Sequence, residues 1–141
     1  MPSEPVSEKP SDFLLLQLGV GHVGAAVVSL TQQLAHDWQG RFRLGIHYFA
    51  LADSSGFVVP GPTERLLSSE TLASIERVCT SGQSLSTLPN GRHAGDWQDV
   101  LEQAIQAGGR PDRVIVVDCA VGHGTTPMLL AARAAGAHIV L

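Results

Sequence analysis

The clearest chemistry in this chain is carried by six consecutive residues, Gly19-Val20-Gly21-His22-Val23-Gly24, which follow the pattern G-x-G-x-x-G. Alone the pattern is weak in a chain with 15 glycines. Its setting is what gives it meaning. The apolar run Phe13 to Leu18 stops at the first glycine, and an amphipathic segment opens at His22. A strand, a glycine turn and a helix in this order hold a dinucleotide pyrophosphate, because orphan N–H groups and the positive end of the helix dipole point at the anion. Gly19 is expected to permit the tight turn, Gly21 to leave room for the phosphates, and Gly24 to let the helix lie close on the strand. The plainer alternative is a glycine turn that serves packing only.

Such sites place an acid at the end of the second strand, about 20 residues beyond the glycines, where it accepts hydrogen bonds from the adenosine ribose. Asp53 is the candidate, later than usual, with Ser54 beside it; the alternative is that Asp53 caps the Ser54-Ser55-Gly56 turn. An ionised Asp53 repels a 2′-phosphate and no arginine follows it directly, so NAD is modestly favoured over NADP. A later strand end, Asp118-Cys119-Ala120-Val121-Gly122-His123-Gly124, falls at the carboxyl edge where open α/β sheets bind ligands. Ala120 and Val121 are expected there on the nicotinamide side. This stretch also resembles the acidic, glycine-rich first motif of S-adenosylmethionine-dependent methyltransferases, although only a short segment follows it.

His22 and His123 stand in glycine turns, where solvated surface positions are the ordinary reading and proton transfer the sharper one. His47 reads as a partnered strand residue. Cys79 and Cys119 form no Cys-x-x-Cys pair, have no lysine to activate them, and make no spaced metal site with the histidines. No metal site and no catalytic residue are expected within these residues.

The elements that must position this chemistry follow from periodicity. Phe13 to Leu18 reads as a strand buried on both faces. From His22 to about His36, Val23, Ala26, Val27, Leu30 and Leu34 form a stripe predicted to face the sheet, with the helix ending near Asp37-Trp38-Gln39-Gly40. A second strand runs from about Phe42 to Ala52 with Leu44, Ile46, Tyr48 and Ala50 on one face, and ends at Asp53-Ser54-Ser55-Gly56. Thr63 to about Thr80 has helical spacing, and Ser81 to Gly95 reads as polar loop. Asp96 is a predicted N-cap for a helix through Ala107, Arg113 to Asp118 is a buried strand, and Thr126 is a predicted cap with Pro127 opening a helix to about Ala135. Ala137 to Leu141 begins one more strand. The alternation predicts an α/β fold: a Rossmann-type open parallel sheet with helices on both faces. Met1 to Asp12 reads as a flexible tail and 13–141 as the dinucleotide-binding domain. The chain ends in apolar mid-strand, as if truncated at its C-terminus.

Composition narrows the partners. A net charge of −4, with Lys9 the only lysine and eight scattered arginines, lacks the basic patch of a nucleic-acid binder. No secretory leader or membrane-length apolar run is present, and two unpaired cysteines fit a reducing compartment, so a cytoplasmic location with no membrane partner is expected.

Taken together, Leu14 to Gly24, Ala50-Leu51-Ala52-Asp53-Ser54-Ser55-Gly56, Val116-Val117-Asp118-Cys119 and Ala135-Gly136-Ala137-His138-Ile139-Val140 resemble the N-terminal NAD(P)-binding domain of homoserine dehydrogenase, over residues 13–141. The resemblance implies an oxidoreductase that interconverts aspartate semialdehyde and homoserine with NAD or NADP, on the route to threonine, methionine and isoleucine. It also implies a dimer formed through a substrate domain absent from this sequence. Two departures matter. The family usually follows its Asp-Cys with threonine and small polar residues, whereas Ala120-Val121 stand here and leave only backbone contacts. The Asn-Lys pair beyond the strand that begins at Ala137, and the lysines that serve in proton transfer, have no counterpart, Lys9 being in the tail. Activity of these residues alone is therefore not expected. The reading from another class is a stand-alone nucleotide-sensing or partner-binding module.

Overall fold

The computed structural model describes residues 11–120 and 124–141; Lys9, Val121 and His123 lie outside them. Strand β1 (Ser11–Leu18) occupies the middle of a six-stranded sheet. It leads through the glycine turn into α1 (His22–Phe42), which returns the chain to β2 (Leu44–Asp53). A tight turn at Ser54-Ser55 sends β3 (Gly56–Val58) back against β2. Then come α2 (Ser69–Thr80), a 3₁₀ turn at Leu85–Thr87 and β4 (Gly91–His93). The chain closes with α3 (Trp97–Gly108), β5 (Val114–Asp118), α4 (Thr126–Ala135) and β6 (His138–Val140).

The strand order is β4-β3-β2-β1-β5-β6. Pairs β1·β2, β1·β5 and β5·β6 are parallel, while β2·β3 and β3·β4 are antiparallel. The wholly parallel sheet expected from the alternation is thus corrected at one edge, because the two-residue turn after Asp53 makes a hairpin in place of a crossover. Part of the expected polar loop between Ser81 and Gly95 forms β4 and buries Leu85 completely.

Alternation along β1 divides the core. Leu14, Leu16 and Leu18 pack with Val100, Leu101 and Ala104 of α3 and Ala132 of α4. Leu15 faces the other side with Tyr48, Leu51, Leu85 and, from α2, Leu72 and Ile75. Each fully buried leucine contributes about 1.5–3 kcal/mol. A register shift puts Leu15 opposite Tyr48 but Leu16 opposite Ala50, leaving Phe49 as an extra residue in β2. The expected single face of Leu44, Ile46, Tyr48 and Ala50 is broken there: Ile46 and Tyr48 stay on the α2 side, and Ala50 turns to the α3 side.

Helix α1 departs most from expectation. Its buried residues are Gly24 and Thr31, whereas Val23, Leu30 and Leu34 of the predicted inward stripe are 67%, 54% and 39% exposed. The cause is the close approach at Gly24, where a Cβ would run into the Gly19 carbonyl and lie 3.1 Å from Gln17 Nε2. That contact sets the helix's rotation about its axis, and the 3.6-residue period then carries Val28 and Thr31 inward and the larger residues out. The helix also outlasts its expected end. Asp37 and Arg41 pair at i,i+4 (3.2 Å), and the turn of chain comes only at Arg43, with φ 50°.

Two capping expectations shift as well. Asp96 precedes α3 without a side-chain cap bond, and the residue before α4 is Thr125, whose hydroxyl is engaged elsewhere. Helix α2 starts at Ser69, after Ser68 accepts a hydrogen bond from the Thr71 amide, so the stretch from Thr63 precedes it.

Candidate dinucleotide site

The glycine turn is fixed from three sides. Gly19 has φ +96°, and a Cβ there would stand 2.7 Å from Ala120 N, so both the backbone conformation and the approach of the β5 loop require glycine. Its N–H donates to Ala52 O at 2.9 Å, and the neighbouring Cys119 N–H donates to Leu18 O at 2.7 Å. Strands β2, β1 and β5 are thereby tied together at their carboxyl ends. Gly24 fits under the turn as described above. Gly21 is the opposite case: it is exposed, and nothing stands within 4 Å of the place where a Cβ would be.

A buried polar network fastens this turn from within. Gln17 is 1% exposed. Its Nε2 donates to the carbonyls of Gly19 and Gly24, both at 2.9 Å, and its Oε1 accepts from the Tyr48 hydroxyl at 2.8 Å. The Thr31 hydroxyl lies 3.5 Å from the Tyr48 oxygen. Burial pushes the Tyr48 phenol up to about 12, against a smaller opposite effect of the Thr31 hydrogen bond. Sequence reasoning missed both residues. The available signal was one amide inside an otherwise apolar strand, two positions before the first glycine.

Above the turn lies a groove of about 600 Å³. Gly19, Val20 and Gly21 form its floor, Asp53 and Ser54 one end, and Ala120, Gly124 and Thr125 the other. Leu18, Ala52, Phe57 and Met128 give it apolar walls. The groove crosses the sheet where β1 sends its crossover to β2 on one side while β5 lies on the other, the position at which open α/β sheets take ligands. At its floor begins α1, a 21-residue helix with no side-chain cap on Gly21 and no acidic residue in its first turn. Its N-terminal amides and dipole are left available to an anion. These features fit a pyrophosphate.

The other predicted residues are distributed as follows. His22 and Val23 are exposed at the start of α1. His22, with Val20 and Gly21, lines a smaller cavity of about 300 Å³ between α1 and α2, and Val23 lines neither space. The Asp53 carboxylate is engaged by its own turn and by a distant segment: Oδ1 accepts from the amides of Ser55 (2.8 Å) and Gly56 (3.2 Å) and from the Ser55 hydroxyl, and Oδ2 accepts from the Leu85 amide at 2.8 Å. Asp118 is similarly committed, accepting from Ala120 N at 3.0 Å and from the Thr125 hydroxyl at 2.9 Å. This pair joins the end of β5 to the start of α4.

Cys79 and Cys119 both line the groove. Burial raises each thiol, helped at Cys79 by the charge of Asp53 and at Cys119 by that of Asp118. They are poor nucleophiles near neutral pH. His47 stands 3.5 Å from Asp12 at the far end of the sheet, away from the groove. Among the described residues, no helix is long and apolar enough to cross a membrane.

In sequence, the chain matches no family model and no curated protein. In fold it is similar to a hyperthermophilic archaeal homoserine dehydrogenase in complex with NADPH, with a TM-score of 0.63 and 16% identity over 91% of this chain. It is also similar to a putative homoserine dehydrogenase from Archaeoglobus fulgidus, with a TM-score of 0.50 and 15% identity over 91% of this chain. The matched part is 34% of the first protein and 41% of the second, so the chain spans well under half of their length.

Proposed function

We propose that this chain is the nicotinamide dinucleotide-binding domain of an oxidoreductase of the homoserine dehydrogenase type. The observation that carries the proposal is the combination at Gly21: an open, side-chain-free approach to the uncapped start of α1, at the floor of a groove that spans the carboxyl ends of β1, β2 and β5. The likeness in fold to a homoserine dehydrogenase in complex with NADPH supports the same reading.

Within that reading the α1 amides bind the pyrophosphate and the Gly19–Gly24 contact holds them in place. Ala52, Phe57 and Met128 exclude water from the groove's walls, and backbone groups at Ala120 flank the nicotinamide ribose. A bound nicotinamide supplies the hydride-accepting or hydride-donating carbon. The hydroxyl proton of homoserine needs a placed base and a wall that orients the substrate. We assign both to residues other than these 141, since the only lysine here is Lys9, before β1. The whole protein's activity would be the interconversion of aspartate semialdehyde and homoserine, in the cytoplasm, with a dimeric assembly built by the substrate-binding part.

Fluorescence titration with NADH and NADPH tests the proposal. Saturable binding of at least one is expected, together with no turnover when this chain is mixed with homoserine and NAD. Absence of binding to either would refute the dinucleotide site. Steady-state reduction of NAD by this chain would refute the assignment of catalysis elsewhere.

A further inference from the structure

The adenosine end of the groove does not offer the free carboxylate that the sequence suggests. Both oxygens of the Asp53 carboxylate are engaged: the Ser55 amide, the Ser55 hydroxyl and the Gly56 amide converge on Oδ1, and the Leu85 amide takes one of the two lone-pair sites of Oδ2. The last of these comes from a different segment, 32 residues on. Leu85 is anchored by its own side chain, fully buried beside Leu51 and Leu72, and the Ser86 amide reaches the Ser55 hydroxyl at 3.4 Å. Just upstream, Gly82 turns with φ +78° and the Gln83 amide donates back to Val78 O at 3.1 Å, which brings Gly82 and Gln83 to the groove. The Gln83 and Ser54 side chains are exposed there, and neither has a hydrogen-bond partner among the described residues.

Resting on the dinucleotide reading above, we propose that Gln83 and Ser54 read the adenosine ribose, and that Asp53 is a positioning residue that clasps the Gln83 segment to the groove. A glutamine amide and a serine hydroxyl offer donors and acceptors to the 2′ and 3′ hydroxyls without charge. Recognition is then done by neutral groups, and the part-buried hydrogen bonds of Asp53 hold them in position.

Amide hydrogen exchange and NADH and NADPH titrations on the parent, Asp53→Asn and Gln83→Arg chains separate these roles. In Asp53→Asn an NH2 group replaces one acceptor. The Leu85 amide is expected to exchange at least about tenfold faster, and affinity for both dinucleotides to fall by factors within about threefold of each other. Gln83→Arg keeps the clasp and adds a phosphate-pairing guanidinium. It is expected to leave Leu85 protected while raising NADPH affinity relative to NADH by about tenfold or more. Unchanged Leu85 exchange in Asp53→Asn overturns the clasp. An unchanged cofactor ratio in Gln83→Arg overturns the assignment of Gln83. If the parent binds neither dinucleotide, the functional reading fails with the ribose assignment, while the Leu85 exchange still decides the clasp.

Discussion

The Tyr48 hydroxyl donates to Gln17 Oε1 at 2.8 Å, and through that bond strand β2 orients the amide that holds the carbonyls of Gly19 and Gly24. The network is buried, so each member left without its partner carries a full desolvation cost. Tyr48→Phe strands one acceptor and is expected to cost about 1–3 kcal/mol in urea unfolding. Gln17→Leu strands the Gly19 carbonyl, takes the second donor from the Gly24 carbonyl and leaves the Tyr48 hydroxyl only its 3.5 Å contact with Thr31, and is expected to cost more and to weaken dinucleotide binding as the turn loosens. A Gln17→Leu chain as stable as the parent would show that the network does not hold the turn.

Tyr48 also gives a pH signature that can be read without labels, because it is the only tyrosine in the chain. Burial raises its phenol from 10.0 to about 12. The folded state therefore keeps this proton over a range in which the unfolded chain has lost it. The corresponding stability is whole below pH 10 and is lost as pH rises from about 10 to 12. Tyrosinate absorbance of the native protein is expected to rise near the upper limit, and in denaturant near the lower. A native midpoint at 10 would show that the ring is solvated.

The three glycines of the turn are not equivalent. Gly21→Val meets open space and is expected to leave the circular dichroism spectrum and urea midpoint close to the parent's while abolishing dinucleotide binding. Gly24→Ala drives a methyl group into the Gly19 carbonyl, and is expected to destabilise the fold by about 1–3 kcal/mol, the usual cost of overpacking. Parent-like dinucleotide affinity in Gly21→Val, measured by calorimetry, would remove the pyrophosphate from this turn.

Cys79 and Cys119 are raised by burial and stand on the groove. Alkylation by iodoacetamide at neutral pH is expected to be several-fold slower than for an unfolded thiol, and slower again with saturating NADH. Mass spectrometry of the two cysteine peptides reads both effects, and labelling unaffected by NADH would place the ligand elsewhere.

The sequence disclosed the parallel strands and the glycine turn because those segments announce themselves locally: Leu14 to Leu18 is continuous and apolar, and a glycine ends it. Within the turn, Gly19 and Gly24 are closely packed and Gly21 faces open space. What stayed illegible depended on contacts across the sheet. The face that α1 buries follows from the Gly24 contact with Gly19, which outweighs the apolar count of Val23, Leu30 and Leu34. The extra residue at Phe49 cannot be seen without the register of β1. Asp53 has the type and place of a ribose reader, but its commitment to Leu85 depends on a segment whose path periodicity does not trace.

The hairpin that replaces a crossover after Asp53 bears on the order in which the molecule assembles. Pairing of Leu51 with Val58 closes a loop of a few residues, a step on the order of 1–10 μs, whereas Leu14 meets Val114 a hundred residues along the chain. Loop-closure entropy delays the second pairing. Strands β2 and β3 are thus expected in the folding nucleus, while the β1·β5 seam under the groove forms late. Changes near Val116 would then speed unfolding and leave the folding rate almost untouched, whereas changes at Leu51 or Val58 would slow folding itself.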